Sequence, residues 1–126
     1  MRLRRSVRHY EAANERRLPI LFHTFGQDHQ FAQVDEIARR YPDASILVAH
    51  LRTMNEEGYH RIAREHPNVF VDTVGSGAAR GLVERAVAAI GANKIVWGSD
   101  AYCYGCFSRF NFASNDRSEF PLGPAA

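Results

Sequence analysis

The sequence predicts an α/β protein built from about four βα units with a parallel sheet. Its apolar residues change repeatedly between short continuous runs, typical of buried strands, and helical spacing. The runs end near residues 23, 50, 72 and 100, at intervals of 27, 22 and 28 residues, which is the size of a βα unit. The runs are apolar on both faces rather than alternating, as expected for parallel strands covered by helices. Right-handed crossovers would then place all the carboxyl ends at one edge of the sheet.

The first half of the chain is predicted to form two helix–strand pairs. Residues 3–16 carry apolar side chains at helical intervals, and the run 18–22 follows as a strand. The second helix is expected to have Asp28 as its N-cap and to end before Pro42. The run 45–49 then forms the second strand. The apolar face of the second helix comprises Phe31, Val34, Ile37, Ala38 and Tyr41.

The second half repeats this order. The segment 53–56 matches a capping box, in which Thr53 and Glu56 each satisfy a free backbone N–H, and its helix ends before Pro67. Residues 69–71 form a short strand. The next helix is expected to end at Gly91 in a left-handed conformation, before a strand over 94–99. Its apolar stripe is the clearest in the chain and comprises Leu82, Val83, Ala86, Val87 and Ile90.

Residues 101–126 differ from the rest, because their aromatic residues lie among Gly, Ser, Asn and Pro with no clear period. We therefore predict a half-barrel-sized domain over 1–100 and an irregular aromatic and Gly-rich tail over 101–126. The tail contains the only two cysteines, Cys103 and Cys106, in a C-x-x-C arrangement. This spacing occurs in redox pairs and in zinc sites, but without a second pair we interpret both as free thiols.

The composition bounds the class of protein. With 126 residues, 45% hydrophobic and 24% charged, the chain is one ordinary globular domain. The formal net charge of +2 does not indicate a nucleic-acid partner. No apolar stretch approaches the roughly 18–20 residues of a membrane span, and no secretory signal is visible. We therefore expect a cytoplasmic protein that acts on a small-molecule substrate.

Three of the apolar runs end in a residue that can bind a metal or move a proton, namely His23, His50 and Asp100. A neutral imidazole suits a divalent metal such as zinc. A single histidine at a strand end is more often structural. Because a second apolar run also ends in a histidine, His50, a metal or catalytic site is favoured. A carboxylate at Asp100 could ligate a metal or accept a proton from its bound water, the alternative being a helix N-cap.

The remaining strand end carries Asp72, Thr73 and a short loop containing Gly75. Backbone amides in such a loop can bind a substrate oxyanion, although a simple turn is the commoner explanation. The other histidines fall on helices or loop edges, where we expect them to be solvated, with His29 near enough to the strand ends to contact substrate. These are His9, His29, His60 and His66.

The segments LPILFHT, ILVAHL, NVFVDT and IVWGSDA together resemble the second half of the amidohydrolase-related family of metal-dependent hydrolases, over residues 7–101. These proteins are TIM (β/α)8 barrels, so the resemblance implies a partial barrel. It implies that His23 ligates the metal, zinc or manganese, and that His50 binds a second metal or polarises the substrate. It also implies that Asp100 ligates the metal and takes the proton of the attacking water.

The chain departs from this family pattern in two respects that bear on function. The family's first strand carries an H-x-H pair of metal ligands, and this sequence contains no H-x-H. The first four strands of the barrel have no counterpart either. The resemblance therefore implies a hydrolase completed by a missing N-terminal half or by a homo-oligomeric partner. The alternatives are a non-oxidative decarboxylase of the same family and a non-catalytic βα assembly domain.

Overall fold

The computed structural model describes residues 2–74 and 79–98, with side chains from residue 7 onward. Helices and strands alternate through these residues as the periodicity predicts. In chain order they are α1 (Arg2–Arg16), β1 (Pro19–Phe22), α2 (Asp28–Arg40), β2 (Ser45–Val48), α3 (Glu56–Glu65), β3 (Val69–Asp72), α4 (Leu82–Ile90), a 3-10 turn (Ala92–Lys94) and β4 (Ile95–Val96). The predicted tail over 101–126, with Cys103 and Cys106, lies outside the described residues.

The four strands form one parallel sheet in the order β1-β2-β3-β4. Leu21 in β1 is opposite Leu47 in β2, which is opposite Phe70 in β3. Because each strand follows its neighbour through a helix, all the carboxyl ends lie at the same edge. This confirms the α/β prediction, and the arrangement is that of part of a TIM barrel.

The described helices cover only one face of the sheet. The side chains of Ile46, Val48, Val69 and Val71 are fully buried against α2, α3 and α4. On the other face Leu21 is 66% exposed. A continuous apolar run would also be expected of a strand whose second face lines the interior of a barrel.

Two helices begin differently from the sequence prediction. α2 is preceded by Gln27, whose backbone N–H donates to Oε1 of Gln30 at 3.3 Å, so Asp28 is not the N-cap. α3 is preceded by Asn55 rather than Thr53, with a φ of 57°. Asn tolerates this left-handed conformation better than most residues. The predicted end of α4 is confirmed, since Gly91 has a φ of 83°.

α2 and α3 pack closely where a glycine removes a side chain. The Phe31 ring on α2 meets the Tyr59 ring on α3 edge to face, with 4.9 Å between their centroids. Gly58 precedes Tyr59, and a Cβ added there would lie 2.5 Å from Cε2 of Phe31. Phe31 is only 1% exposed, so its ring has no free space into which to move.

We expect Gly58→Ala to destabilise the protein by up to about 2 kcal/mol, measured by urea denaturation. Alanine gains about 1 kcal/mol of helix propensity over glycine. Overpacking a buried ring typically costs about 1–3 kcal/mol, which outweighs that gain. Arg61→Ala, at a partly exposed position of the same helix, is the control and should change stability by less than about 0.5 kcal/mol. A stabilising Gly58→Ala would contradict the packing.

Among the described residues, no helix is long and apolar enough to cross a membrane.

Candidate metal site at the strand ends

The structure brings together the two histidines predicted at the ends of β1 and β2. The His23 and His50 rings are in edge contact, with 4.7 Å between their centroids and an interplanar angle of 76°. His23 is exposed, whereas His50 is only 8% exposed. The His23 ring also contacts the Phe25 ring at 4.6 Å. Two imidazoles therefore adjoin at the carboxyl edge of the sheet, where active sites of barrel enzymes lie.

The backbone holds His50 in a conformation that few residues adopt. Its φ is 68°, in the left-handed region where histidine is among the tolerated residues. On one side the N–H of Ala49 donates to the carbonyl of Phe22 at 2.9 Å. On the other side the N–H of Leu51 donates to the carbonyl of Asp72, also at 2.9 Å. Both neighbouring strands thus fix the turn at which His50 lies.

A hydrogen bond to the backbone also fixes the tautomer of His50. Its Nδ1 lies 3.0 Å from the carbonyl oxygen of Val74. A carbonyl can only accept, so Nδ1 carries the proton, and in the neutral ring the lone pair is on Nε2. Histidines that bind metals usually donate their second N–H to a carbonyl or carboxylate in this way.

The loop that carries His23 is anchored to β2 and α3. Thr24 is fully buried, and its hydroxyl donates to the carbonyl of Ala49 at 2.8 Å. That hydroxyl then accepts from the Tyr59 hydroxyl, also at 2.8 Å. Burial raises the pKa of Tyr59, which keeps its hydroxyl protonated as a donor. This anchor holds the backbone next to His23 in place.

A second anchor joins the loops after β1 and β2. The Asn55 side-chain amide donates to the carbonyl of Gly26 at 3.0 Å and to Oδ1 of Asp28 at 2.8 Å. Gly26 has a φ of 77°, and a Cβ there would lie 3.0 Å from the carbonyl of Met54. The close approach of the two loops therefore requires glycine. The contact between the two loops means that the two histidines are held by one connected piece of structure rather than by independent loops.

Asp72 and Thr73 lie at the end of β3, beside this pair, and both have backbone partners. Oδ1 of Asp72 accepts from the N–H of Val74 at 2.9 Å, which shapes the turn that presents the carbonyl bound to His50. A Cβ on Gly98 would lie 3.0 Å from Oδ2 of Asp72, so the small residue makes room for the carboxylate. Thr73 donates its N–H to the carbonyl of Val96 at 3.1 Å. Asp100 and Gly75 lie outside the described residues.

The donor set of this edge fits a divalent metal in its chemistry. Zinc accepts imidazole nitrogen and carboxylate oxygen, and a catalytic zinc typically has three protein ligands. His23 and His50 supply two imidazole rings whose centroids lie 4.7 Å apart, and the tautomer of His50 is already set by its bond to Val74. A third ligand would have to come from beyond this pair of rings.

Two other histidines are buried, contrary to the expectation that they are solvated. His60 is 5% exposed and His66 is 7% exposed. His66 Nε2 lies 2.7 Å from Oδ1 of Asp35, and with Glu65 these residues form a cluster of three possible metal ligands. The cluster lies at the opposite end of β3. Asp35 is also paired with Arg39 at 3.0 Å, so the carboxylate and imidazole already satisfy each other and the cluster is best explained as structural.

Sequence reasoning did not identify the residues that support the histidine pair. Thr24 directly follows His23, and a buried hydroxyl beside a predicted ligand could have been recognised as a support. Val74 acts through its backbone carbonyl, which every residue type has, so the sequence gives no sign of this contact. Arg52 and Phe25 lie beside the histidine pair, but they belong to no periodic apolar or polar pattern that would have indicated this position.

The fold and these residues together define a class: a parallel α/β sheet with adjacent imidazoles at its carboxyl edge. The family model described as Amidohydrolase matches residues 2–107, and the chain belongs to that family. This membership indicates an enzyme of the metal-dependent hydrolase type. Neither the curated proteins nor the solved structures with which the chain was compared gave a match.

Proposed function

We propose that this chain supplies His23 and His50 to the metal site of a hydrolase that attacks a carbonyl-type bond. The observation that carries the proposal is the ring contact between the two imidazoles, together with the Nδ1 bond from His50 to Val74. A divalent ion, zinc first and manganese second, would supply Lewis acidity and lower the pKa of water toward neutrality. Asp100, by the family resemblance, would be a further ligand and accept the proton of the attacking water.

The tautomer of His50 favours one of the two roles that the resemblance implies for it. With the proton on Nδ1, a neutral His50 has an acceptor at Nε2 and can ligate a metal. To polarise a substrate oxygen by donating from Nε2, the same ring would have to be protonated. The bond to Val74 therefore supports His50 as a ligand. Decarboxylation with the same residues remains the alternative reaction, to be separated by product analysis.

We further propose that the site is completed by additional strands. β1 and β4 are the two edges of the described sheet, and each pairs with a single neighbour among the described strands. The face that carries Leu21 is not covered by any described helix, and a barrel would enclose it. A second copy of the chain or a complementary half would supply these strands. The ligands that the H-x-H motif provides in the family would come from a complementary half, because this sequence contains no H-x-H.

Cobalt binding tests the metal proposal without requiring catalysis. The full chain, with Cys103→Ser and Cys106→Ser to remove thiolate ligands, is stripped of metal and titrated with Co²⁺, followed by its visible absorption. We expect saturable binding, and His23→Ala should weaken it by about a hundredfold, since one ligand is lost. His29→Ala is the matched control, because His29 is an exposed histidine on α2. No saturable binding, or equal loss in the control, would overturn the proposal.

A further inference from the structure

Lys94, directly before β4, is the only lysine of the chain, and its ammonium group lies among backbone carbonyls. Its Nζ donates to the carbonyl of His66 at 2.8 Å, to that of Pro67 at 2.9 Å and to that of Val69 at 3.0 Å. An ammonium group has three protons and no acceptor, so these bonds use all of its donors. Nζ also lies 5.0 Å from the centroid of the Phe70 ring, within the range of a cation–π contact.

The three carbonyls lie where α3 ends and β3 begins. α3 ends at Glu65, with His66 as its C-cap, and the last carbonyls of a helix have no partner within that helix. The helix dipole also makes this end negative, which favours a cation. Among the residues that the structure describes, no carboxylate forms an ion pair with Lys94. The described partners of its charge are therefore carbonyl oxygens and an aromatic ring.

The bonds of Lys94 attach β4 to the rest of the sheet at the amino end of the strand. β4 has only two residues, Ile95–Val96, which pair with Val71 and Asp72 of β3. A strand of this length has few backbone hydrogen bonds of its own. The three bonds of the ammonium group therefore make a large contribution to the attachment of β4.

We propose that these three carbonyls and the Phe70 ring form an ammonium-binding site, in which Lys94 is the intramolecular ligand that holds the start of β4 against the C-terminus of α3. The class of ligand is a primary alkylammonium, because three converging acceptors match the three protons of one such group. When the lysine side chain is shortened, a free alkylammonium ion should occupy the site. The site lies at the end of the strands opposite the histidine pair, and the proposal does not depend on metal binding.

Rescue of Lys94→Ala by a free ammonium ion tests the site. The substitution removes three carbons and the amine, which is the outline of n-propylammonium. We expect the urea midpoint of Lys94→Ala to lie below that of the unsubstituted chain, and n-propylammonium to recover at least about half of the loss in a saturable manner. n-Propanol has the same length without the charge and should recover none of it. All titrations use the full chain at one pH, with the ionic strength held constant by NaCl.

Two controls separate occupation of the site from a general effect of the ion. The unsubstituted chain, in which Lys94 fills the site, should gain no midpoint from n-propylammonium. Arg64→Ala removes a different cation of α3, one paired with Glu57, and should also show no gain. An unchanged midpoint in Lys94→Ala, absence of rescue, equal rescue by n-propanol, or an equal gain in either control would overturn the proposal.

Trp97 reports on β4 itself. It is the only tryptophan of the chain, follows β4 directly and is 65% exposed. In folded Lys94→Ala the anisotropy of its fluorescence should fall, because the start of the strand is released, and n-propylammonium should restore it. Unchanged anisotropy in the folded variant would overturn the proposed attachment of β4.

A measurement on the unsubstituted chain covers the case in which Lys94→Ala does not fold. Labelling lysine selectively with ¹⁵N gives a single Nζ resonance, because the chain has one lysine. Hydrogen-bonded protons exchange slowly with water, so we expect the ammonium protons to exchange at least about tenfold more slowly than those of free lysine at the same pH. Exchange at the rate of free lysine would overturn the proposal.

Discussion

Phe31→Ala should lower the free energy of unfolding by about 3–5 kcal/mol, the usual cost of emptying a fully buried aromatic site. Phe31 is 1% exposed and belongs to the cluster that joins α2 and α3 to the sheet. The truncation removes its edge-to-face contact with Tyr59. Tyr59 in turn holds Thr24, so the loss reaches the loop that positions His23. A loss of this size is a large fraction of the total free energy of unfolding of a small domain.

Urea denaturation monitored by circular dichroism measures this loss. Gln33→Ala, at an exposed position of the same helix, is the control and should stay within about 0.5 kcal/mol of the unsubstituted chain. The substitution also tests the tight contact at Gly58, because Gly58→Ala should cease to be destabilising once the Phe31 ring is gone. A cost below about 1 kcal/mol for Phe31→Ala would contradict the packing of α2 on α3.

The order of helices and strands could be predicted from the sequence because each apolar run has a clear period. The intervals between runs match a βα unit, and the placement of His23 and His50 at neighbouring strand ends follows from parallel topology alone. The exposed face around Leu21 could not be predicted in this way. An apolar residue at a strand position favours a strand, but it does not tell which element, if any, covers each face of that strand.

The finer structure of the site escaped prediction for a different reason. The N-cap of α3 depends on Asn55, whose side chain reaches across to Gly26 in another loop rather than capping locally. The burial of His66 depends on Asp35, which lies 31 residues away. Contacts of this range are set by the packing of α2 against α3, and local sequence patterns do not contain them.

His50 allows the cost of its backbone conformation to be separated from the loss of its imidazole. His50→Asn should remove metal binding, weakening Co²⁺ affinity by about a hundredfold, with a destabilisation of about 1 kcal/mol from the lost bond to Val74. His50→Ala should lose the same affinity but be less stable by about a further 1–2 kcal/mol, because alanine is disfavoured in the left-handed region. The φ of 68° at this position is what distinguishes the two variants.

A glycine at position 50 tests the backbone strain separately from the loss of the imidazole. Glycine normally destabilises relative to alanine, but at a positive φ the order reverses, so His50→Gly should be at least as stable as His50→Ala. Co²⁺ titration and urea denaturation of the three variants therefore report on different properties of the same residue. If His50→Asn retains full Co²⁺ affinity, the ring that donates to Val74 is not a ligand, and its tautomer serves only to shape the turn after β2. Loss of affinity in all three variants, with the predicted order of stability, would assign the metal to the imidazole and the strain to the backbone.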